Sequence, residues 1–287
     1  MSATTTLSPQ AVIFDAYGTL FDVHSVIAAA EQIFPGRGDA LSQLWRQKQI
    51  EYTQLRTLAG LSNGDGDGAA HYRPFWDITL DALRFSAKKL QLTLGRTAEK
   101  RLMDEYACLS AFPDAVPALR ALRSSGGGSP LTTALRGASS ARDKAAAHAP
   151  GLAILSNGNP QMLDVAVKSA GMSGLFDHVL SVDAVRAYKP APAAYALGTR
   201  AFGAAAREIV FVSSNGWDVA GATWFGFTTF WLNRQNAPLE ELGVTPHGTG
   251  AGMSDLLAFL STLAPAGRAA RTGRIVAASR TRAGKDA

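Results

Sequence analysis

Four polar clusters stand where apolar, β-rich runs end. Asp15 follows Val12-Ile13-Phe14, and Ser156-Asn157 follows Leu152 to Leu155. Lys189 lies just past Val179 to Ser181, and Ser213-Ser214-Asn215-Gly216-Trp217-Asp218 follows Ile209 to Val212. In an open α/β sheet, ligands bind at the carboxyl ends of the strands. A carboxylate delivered there by a stiff strand needs positioning more than deprotonation to attack carbon or phosphorus, so Asp15 reads as a nucleophile. A lone strand-end Asp caps a turn equally well. The other three clusters shift the balance: one nucleophile candidate, one cation and several hydrogen-bonding groups belong to the same sheet edge, as a catalytic site requires.

The elements that must position these groups follow from periodicity. Val12 to Phe14 reads as a strand buried on both faces. From Leu152 onward strand and helix alternate. Strands are expected at 152–155, 179–181, 209–212 and 227–232, with helices at 161–170, 193–202, behind Asp218 and at 253–263. Alternation of this kind predicts a doubly wound parallel sheet, a Rossmann-like α/β core with right-handed crossovers. Residues 23–112 differ. Helical spacing at 25–33, 41–58, 75–90 and 98–109, with no strand between, predicts an inserted helical cap domain. The expected division is therefore core at 1–22 and 113–264, and cap at 23–112. Within the cap, Leu61-Ser62-Asn63-Gly64-Asp65-Gly66-Asp67-Gly68 reads as a loop; the glutamate that would close a calcium loop is absent. Residues 124–150, rich in Gly, Ala and Ser, read as a low-complexity insertion into the core.

Composition narrows the function. No run of about 18 apolar residues appears, and the polar start lacks a secretory pattern, so a cytoplasmic protein that does not enter a membrane is expected. One cysteine, Cys108, excludes an intramolecular disulfide. The net charge of +5 is accounted for by residues 265–287, where six Arg and Lys face Asp286. A neutral body with a basic flexible tail does not predict a nucleic-acid partner. The five histidines are scattered and join no triad.

Taken in order, Asp15-Ala16-Tyr17-Gly18-Thr19-Leu20-Phe21-Asp22, Ser156-Asn157-Gly158, Tyr188-Lys189-Pro190 and Ser213 to Asp218 resemble the haloacid dehalogenase superfamily. The segment Trp45-Arg46-Gln47-Lys48-Gln49-Ile50-Glu51-Tyr52-Thr53 is similar to its L-2-haloacid dehalogenase branch. One position separates branches. Phosphatases of the superfamily place a second Asp two residues after the nucleophile, to protonate a leaving alcohol and help hold magnesium. Tyr17 stands there in this chain. A phenol with an ordinary pKa near 10 is a poor acid for that step, whereas a departing halide needs no proton.

The resemblance implies hydrolysis of short L-2-haloalkanoic acids to D-2-hydroxyacids plus halide, through an ester on Asp15. It implies no metal, no cofactor and a homodimer. Lys189 would keep Asp15 ionised, Thr19 and Ser213 would orient its oxygens, and Asn215 and Asp218 would position or activate the hydrolytic water. Tyr195 resembles the family's phenol near that lysine. Arg46, Asn157 and the ring edge of Phe75 would hold the halide. Ser156 and backbone amides after Asp15 would take the substrate carboxylate, while Tyr17, Ile50 and Trp217 would wall the alkyl group. Ser214 reads as structural. Two alternatives stay open at this point: a magnesium-dependent phosphatase of the same superfamily, and an inactive binding protein whose sheet is disturbed by the 124–150 insertion.

Overall fold

The computed structural model describes residues 9–61, 70–124 and 149–263. Nearly all of the Asn/Asp/Gly loop, all but the ends of the low-complexity insertion, and the basic tail lie outside these residues. The described chain forms β1 (Ala11–Phe14), α1 (Ile27–Ile33), α2 (Gly38–Leu61), α3 (Phe75–Lys89), α4 (Arg96–Ala107) and α5 (Ala115–Ser124). It continues with β2 (Gly151–Ser156), α6 (Pro160–Ser169), β3 (His178–Ser181), α7 (Pro192–Phe202), β4 (Ile209–Ser213) and α8 (Gly216–Phe225). β5 (Thr228–Leu232), β6 (Gly248–Gly250) and α9 (Met253–Leu263) complete it.

All six strands are parallel, in the order β3-β2-β1-β4-β5-β6. The doubly wound α/β sheet expected from the alternation is therefore present. β6 was not anticipated, because Gly248-Thr249-Gly250 carries no apolar signal and forms only an edge. The chain leaves β1 toward β2 and β3 on one side and returns to β4 on the other. Such a reversal opens a crevice at the carboxyl ends of the two adjacent strands. β1 and β4 are those strands, with Phe14 level with Val212.

Side chains alternate between the two faces of the sheet, and each face has its own cover. Val12, Phe14, Ile154 and Val212 pack with Leu119 of α5, Leu163 of α6 and Leu256 of α9. Ala11, Ile13, Leu155 and Phe211 pack with Tyr195 of α7 and Ala222 of α8. Burial on both sides explains why β1 and β4 read as continuous apolar runs.

Helices α1 to α4 fill the interval between β1 and α5 as the helical segment of the fold. Its entry and exit run side by side: Asp22 N–H donates to Ser110 O (2.8 Å) and Phe112 N–H to Leu20 O (3.0 Å). This pairing returns the chain to the sheet edge it left. Among the described residues no helix is long and apolar enough to cross a membrane.

Close helix packing beneath the crevice depends on Gly221 of α8. A β-carbon there would lie 2.6 Å from Pro190 Cβ and 2.6 Å from the Tyr195 hydroxyl. Gly221→Ala is therefore expected to destabilise the fold by about 1–3 kcal/mol, the usual cost of overpacking. Urea unfolding measures it, and an unchanged midpoint would contradict the packing described.

Candidate active site

Asp15 is the first residue past β1 and is 6% exposed. Its N–H still donates to Val212 O (2.8 Å), so the sheet ladder fixes its backbone. Gly18, at φ +93°, supplies the turn that brings Thr19 back beneath the carboxylate. Thr19 Oγ1 donates to Asp15 Oδ2 (2.9 Å) and accepts from Ser214 N–H (2.8 Å), which commits its proton to Asp15. Asn215 Nδ2 donates to the same oxygen (3.0 Å). Oδ1 receives Lys189 Nζ (2.9 Å).

Lys189 is 1% exposed and bridges two carboxylates, its Nζ also reaching Asp218 Oδ2 (2.8 Å). Its backbone N–H donates to Asn157 Oδ1 (3.0 Å), which ties the third strand-end loop to the second. Burial alone would push the ammonium toward its neutral form, but the charges of Asp15 and Asp218 outweigh it and raise its pKa. Asp218 is fully buried in the first turn of α8, and its Oδ1 accepts from Tyr195 OH (2.8 Å). Burial raises its pKa, Lys189 opposes that, and the negative charge of Asp15 adds to it.

Above Asp15 lies a narrow cavity between sheet edge and cap. Asp15, Tyr17, Arg46, Ile50, Thr53, Phe75, Ser156, Asn157 and Trp217 line it. Arg46, Ile50 and Thr53 share one face of α2 at spacings of four and three. Arg46 donates to Tyr17 O (3.1 Å) and Asn215 Oδ1 (3.3 Å) from the core, and to Gln49 Oε1 (2.7 Å) within the cap. These three partners are neutral oxygens, so among the described residues no hydrogen-bonded carboxylate neutralises its positive charge. Tyr17 is buried against Phe75 and stacked on Tyr106 (ring centroids 5.5 and 5.8 Å). Burial chiefly, with Tyr106 and Asp15 adding and Arg46 opposing, raises the phenol's pKa well above its ordinary value.

The structure thus brings Asp15, Thr19, Asn215 and Lys189 into direct contact, and places Arg46, Asn157, Ser156, Phe75, Tyr17, Ile50 and Trp217 on one cavity. Two of the expected residues, Ser213 and Asp218, do not hydrogen-bond to Asp15 or line the cavity. Ser213 Oγ accepts from Asn215 N–H (3.1 Å) and holds the turn after β4, because the side chain of a strand's last residue is drawn to the backbone that folds over it. Asp15 is oriented from that strand by the Ser214 N–H through Thr19, a contact made by the backbone of Ser214 and not by its side chain. Asp218 does not line the cavity. Its two oxygens are engaged by Lys189 and Tyr195, so its contact with the site is through the lysine. Ser156 Oγ accepts from Gly158 N–H (3.0 Å), so it also closes its own turn. Residues missed at first include Thr53, Gln49 and Tyr106. Position on the face of Arg46 would have pointed to Thr53; no local signal points to Tyr106, which arrives from α4.

Residues 9–226 match the model of the family described as haloacid dehalogenase-like hydrolase. The chain is 43% identical over 235 residues to an (S)-2-haloacid dehalogenase of Pseudomonas sp. (strain YL), covering 82% of this chain and 87% of that one. Among solved structures it resembles the L-2-haloacid dehalogenase RSc1362, at 59% identity and TM-score 0.77, over 88% of this chain and 99% of that one. It also resembles the L-2-haloacid dehalogenase of Xanthobacter autotrophicus with chloropropionic acid covalently bound, at 34% identity and TM-score 0.72, over 89% of this chain and all of that one. With the match running from β1 to α8 and the strand-end clusters assembled at one crevice, this chain belongs to the haloacid dehalogenase-like hydrolase family, in its L-2-haloacid dehalogenase branch.

Proposed function

We infer that the protein is an (S)-2-haloacid dehalogenase, a hydrolase that converts L-2-haloalkanoic acids to D-2-hydroxyacids and halide through an ester on Asp15. The observation that carries this reading is the asymmetry of the Asp15 carboxylate. Among the described residues, Oδ2 is anchored by two donors, Thr19 and Asn215, whereas Oδ1 has the single donor Lys189. Oδ1 therefore keeps a lone pair for attack at a fixed position beside the cavity. That a relative carries chloropropionic acid covalently bound supports a covalent route.

In the first step Oδ1 forms a bond to C2 from the side opposite the halogen, and the C2–halogen electron pair leaves with the halide. Arg46, held by neutral oxygens alone, meets the developing negative charge, with Asn157 and the ring edge of Phe75 beside it. Departure of halide requires no proton, so a permanently protonated Tyr17 is no handicap and contributes an apolar wall with Ile50 and Trp217. In the second step water adds to Cγ of Asp15, the Cγ–Oδ1 bond breaks, and the 2-hydroxyacid leaves together with one proton. C2 is touched once, so its configuration inverts once. Lys189 stays charged and steadies the regenerated carboxylate. Asp218 and Tyr195 hold that lysine. We take the cap as residues 23–112, closing over a core of 1–22 and 113–264, in a cytoplasmic homodimer; sedimentation velocity checks the dimer.

Purified protein is expected to release halide from L-2-chloropropionate in the presence of EDTA, and Asp15→Asn to lower the rate by more than about 10³-fold. Single turnover in ¹⁸O water should leave label in the Asp15 peptide. Label confined to the hydroxyacid would mean direct attack by water and would overturn the ester route. Turnover of p-nitrophenyl phosphate that EDTA abolishes, with no halide from haloacids, would instead establish the phosphatase alternative.

Removing the bridging cation has a second, pH-dependent consequence. Lys189→Met leaves Asp15 and Asp218 buried without an opposite charge, so the folded pKa of Asp218, already raised by burial, rises further above its unfolded value. The variant must then lose stability as pH rises through the ordinary carboxylate range. At pH 7 it is expected to be about 3–5 kcal/mol less stable than the parent, with a smaller deficit at pH 4. Urea titrations at both pH values test this; equal deficits would show that the acids are not coupled to the lysine.

A further inference from the structure

Arg46 owes its place over the cavity to a buried residue outside the site proper. Gln49 is fully buried on α2, three residues after Arg46, and its Oε1 accepts from Arg46 NH1 (2.7 Å) and from the Tyr106 hydroxyl (3.0 Å). Its Nε2 donates to Thr79 Oγ1 (2.6 Å) on α3, and that hydroxyl donates to Phe75 O (2.7 Å). The directions are mutually fixed. Thr79 spends its proton on Phe75 and must accept from Gln49; this turns the amide nitrogen toward α3 and the amide oxygen toward Arg46. α3 is locked to α2 here by Trp45 Nε1, which donates to Thr79 O (2.7 Å). Only a side chain that is an acceptor at one end and a donor at the other satisfies both contacts without adding charge. A carboxylate in its place would neutralise Arg46, and an apolar residue would leave buried polar groups unpaired.

We propose that Gln49 is a positioning residue for dehalogenation: it orients the Arg46 guanidinium toward the departing halide and, through Thr79, holds Arg46 in register with Phe75. The two groups expected to touch the halide come from different helices, and this amide is the link between them. The role rests on the dehalogenase reading above. It acts in the carbon–halogen step alone, because hydrolysis of the ester no longer involves the halide. It also depends on the leaving group. Chloride departs less readily than bromide and draws more on stabilisation of developing charge.

The test is single-turnover halide release from L-2-chloropropionate and L-2-bromopropionate, with hydrolysis of the trapped ester measured separately. Gln49→Met keeps the volume and removes both hydrogen-bonding ends. It is expected to slow chloride release about tenfold and bromide release only about two- to threefold, with ester hydrolysis unchanged. In an Arg46→Ala background the same substitution is expected to have no further halogen-dependent effect, since its action runs through the guanidinium. Thr79→Val, which removes the acceptor that turns the amide, gives the same signature at smaller size and serves if Gln49→Met does not fold. Equal slowing for both halogens, slowed ester hydrolysis, or full additivity with Arg46→Ala would reduce Gln49 to a packing role and overturn the proposal. Parent protein that releases halide from neither substrate would instead remove the dehalogenase reading beneath it.

Discussion

One ammonium group, Lys189 Nζ, sits out of water between the carboxylates of Asp15 and Asp218, and the site is arranged around it. Two buried acids sharing a single cation leave an excess negative charge in a low-dielectric interior, which is tolerable only when the remaining lone pairs are met by fixed donors. Thr19 and Asn215 donate to Oδ2 of Asp15; Tyr195 donates to Oδ1 of Asp218. Each donor comes from a different strand-end loop or helix, so the fold must be complete before the charges are satisfied. Electrostatics and topology specify each other here. The parallel sheet brings four loops to one edge, and the charges on those loops accept a single registration.

The same arrangement separates the two acids by role. Asp15 borders the cavity, whereas Asp218 lies outside its lining, with its oxygens facing Lys189 and Tyr195. Chemically similar side chains thus come to differ, one facing the cavity and the other supporting the lysine. The lysine in turn fills the space between the carboxylates with positive charge. What distinguishes the residues is the direction from which each is approached, set by β1 for Asp15 and by the first turn of α8 for Asp218.

Tyr17 and Arg46 define what the cavity can expel. A buried phenol stacked on Tyr106 holds its proton and offers no acid to a leaving oxygen. A guanidinium bonded to uncharged oxygens retains its attraction for an anion. Together they suit a group that departs as an anion and needs no proton. Two of the bonds of Arg46 cross from α2 to the loops after β1 and β4, so the cap contributes its charge only when seated on the core.

By itself the sequence determined the layout. Continuous apolar runs identified the doubly buried strands β1, β2 and β4, helical spacing identified the inserted helical segment, and the residue following each run identified the sheet edge where the polar groups gather. These are local signals, carried by burial and period. Tertiary structure alone decided which polar groups face one another. Asp218 turned inward to Lys189 and Tyr195, and Ser214 and Asn215 met Thr19 and Asp15 across nearly 200 residues of chain, because hydrogen bonds are won by the nearest geometry, not by residue type; the contact of Ser213 with its own loop is local by contrast. β6 escaped because a Gly-Thr-Gly edge buries almost nothing. Gln49 escaped for a related reason: a polar side chain on a helix says nothing of the arginine, threonine and tyrosine that make a buried amide tolerable. Those partners come partly from α3 and α4, and only packing of the helices brings them within reach.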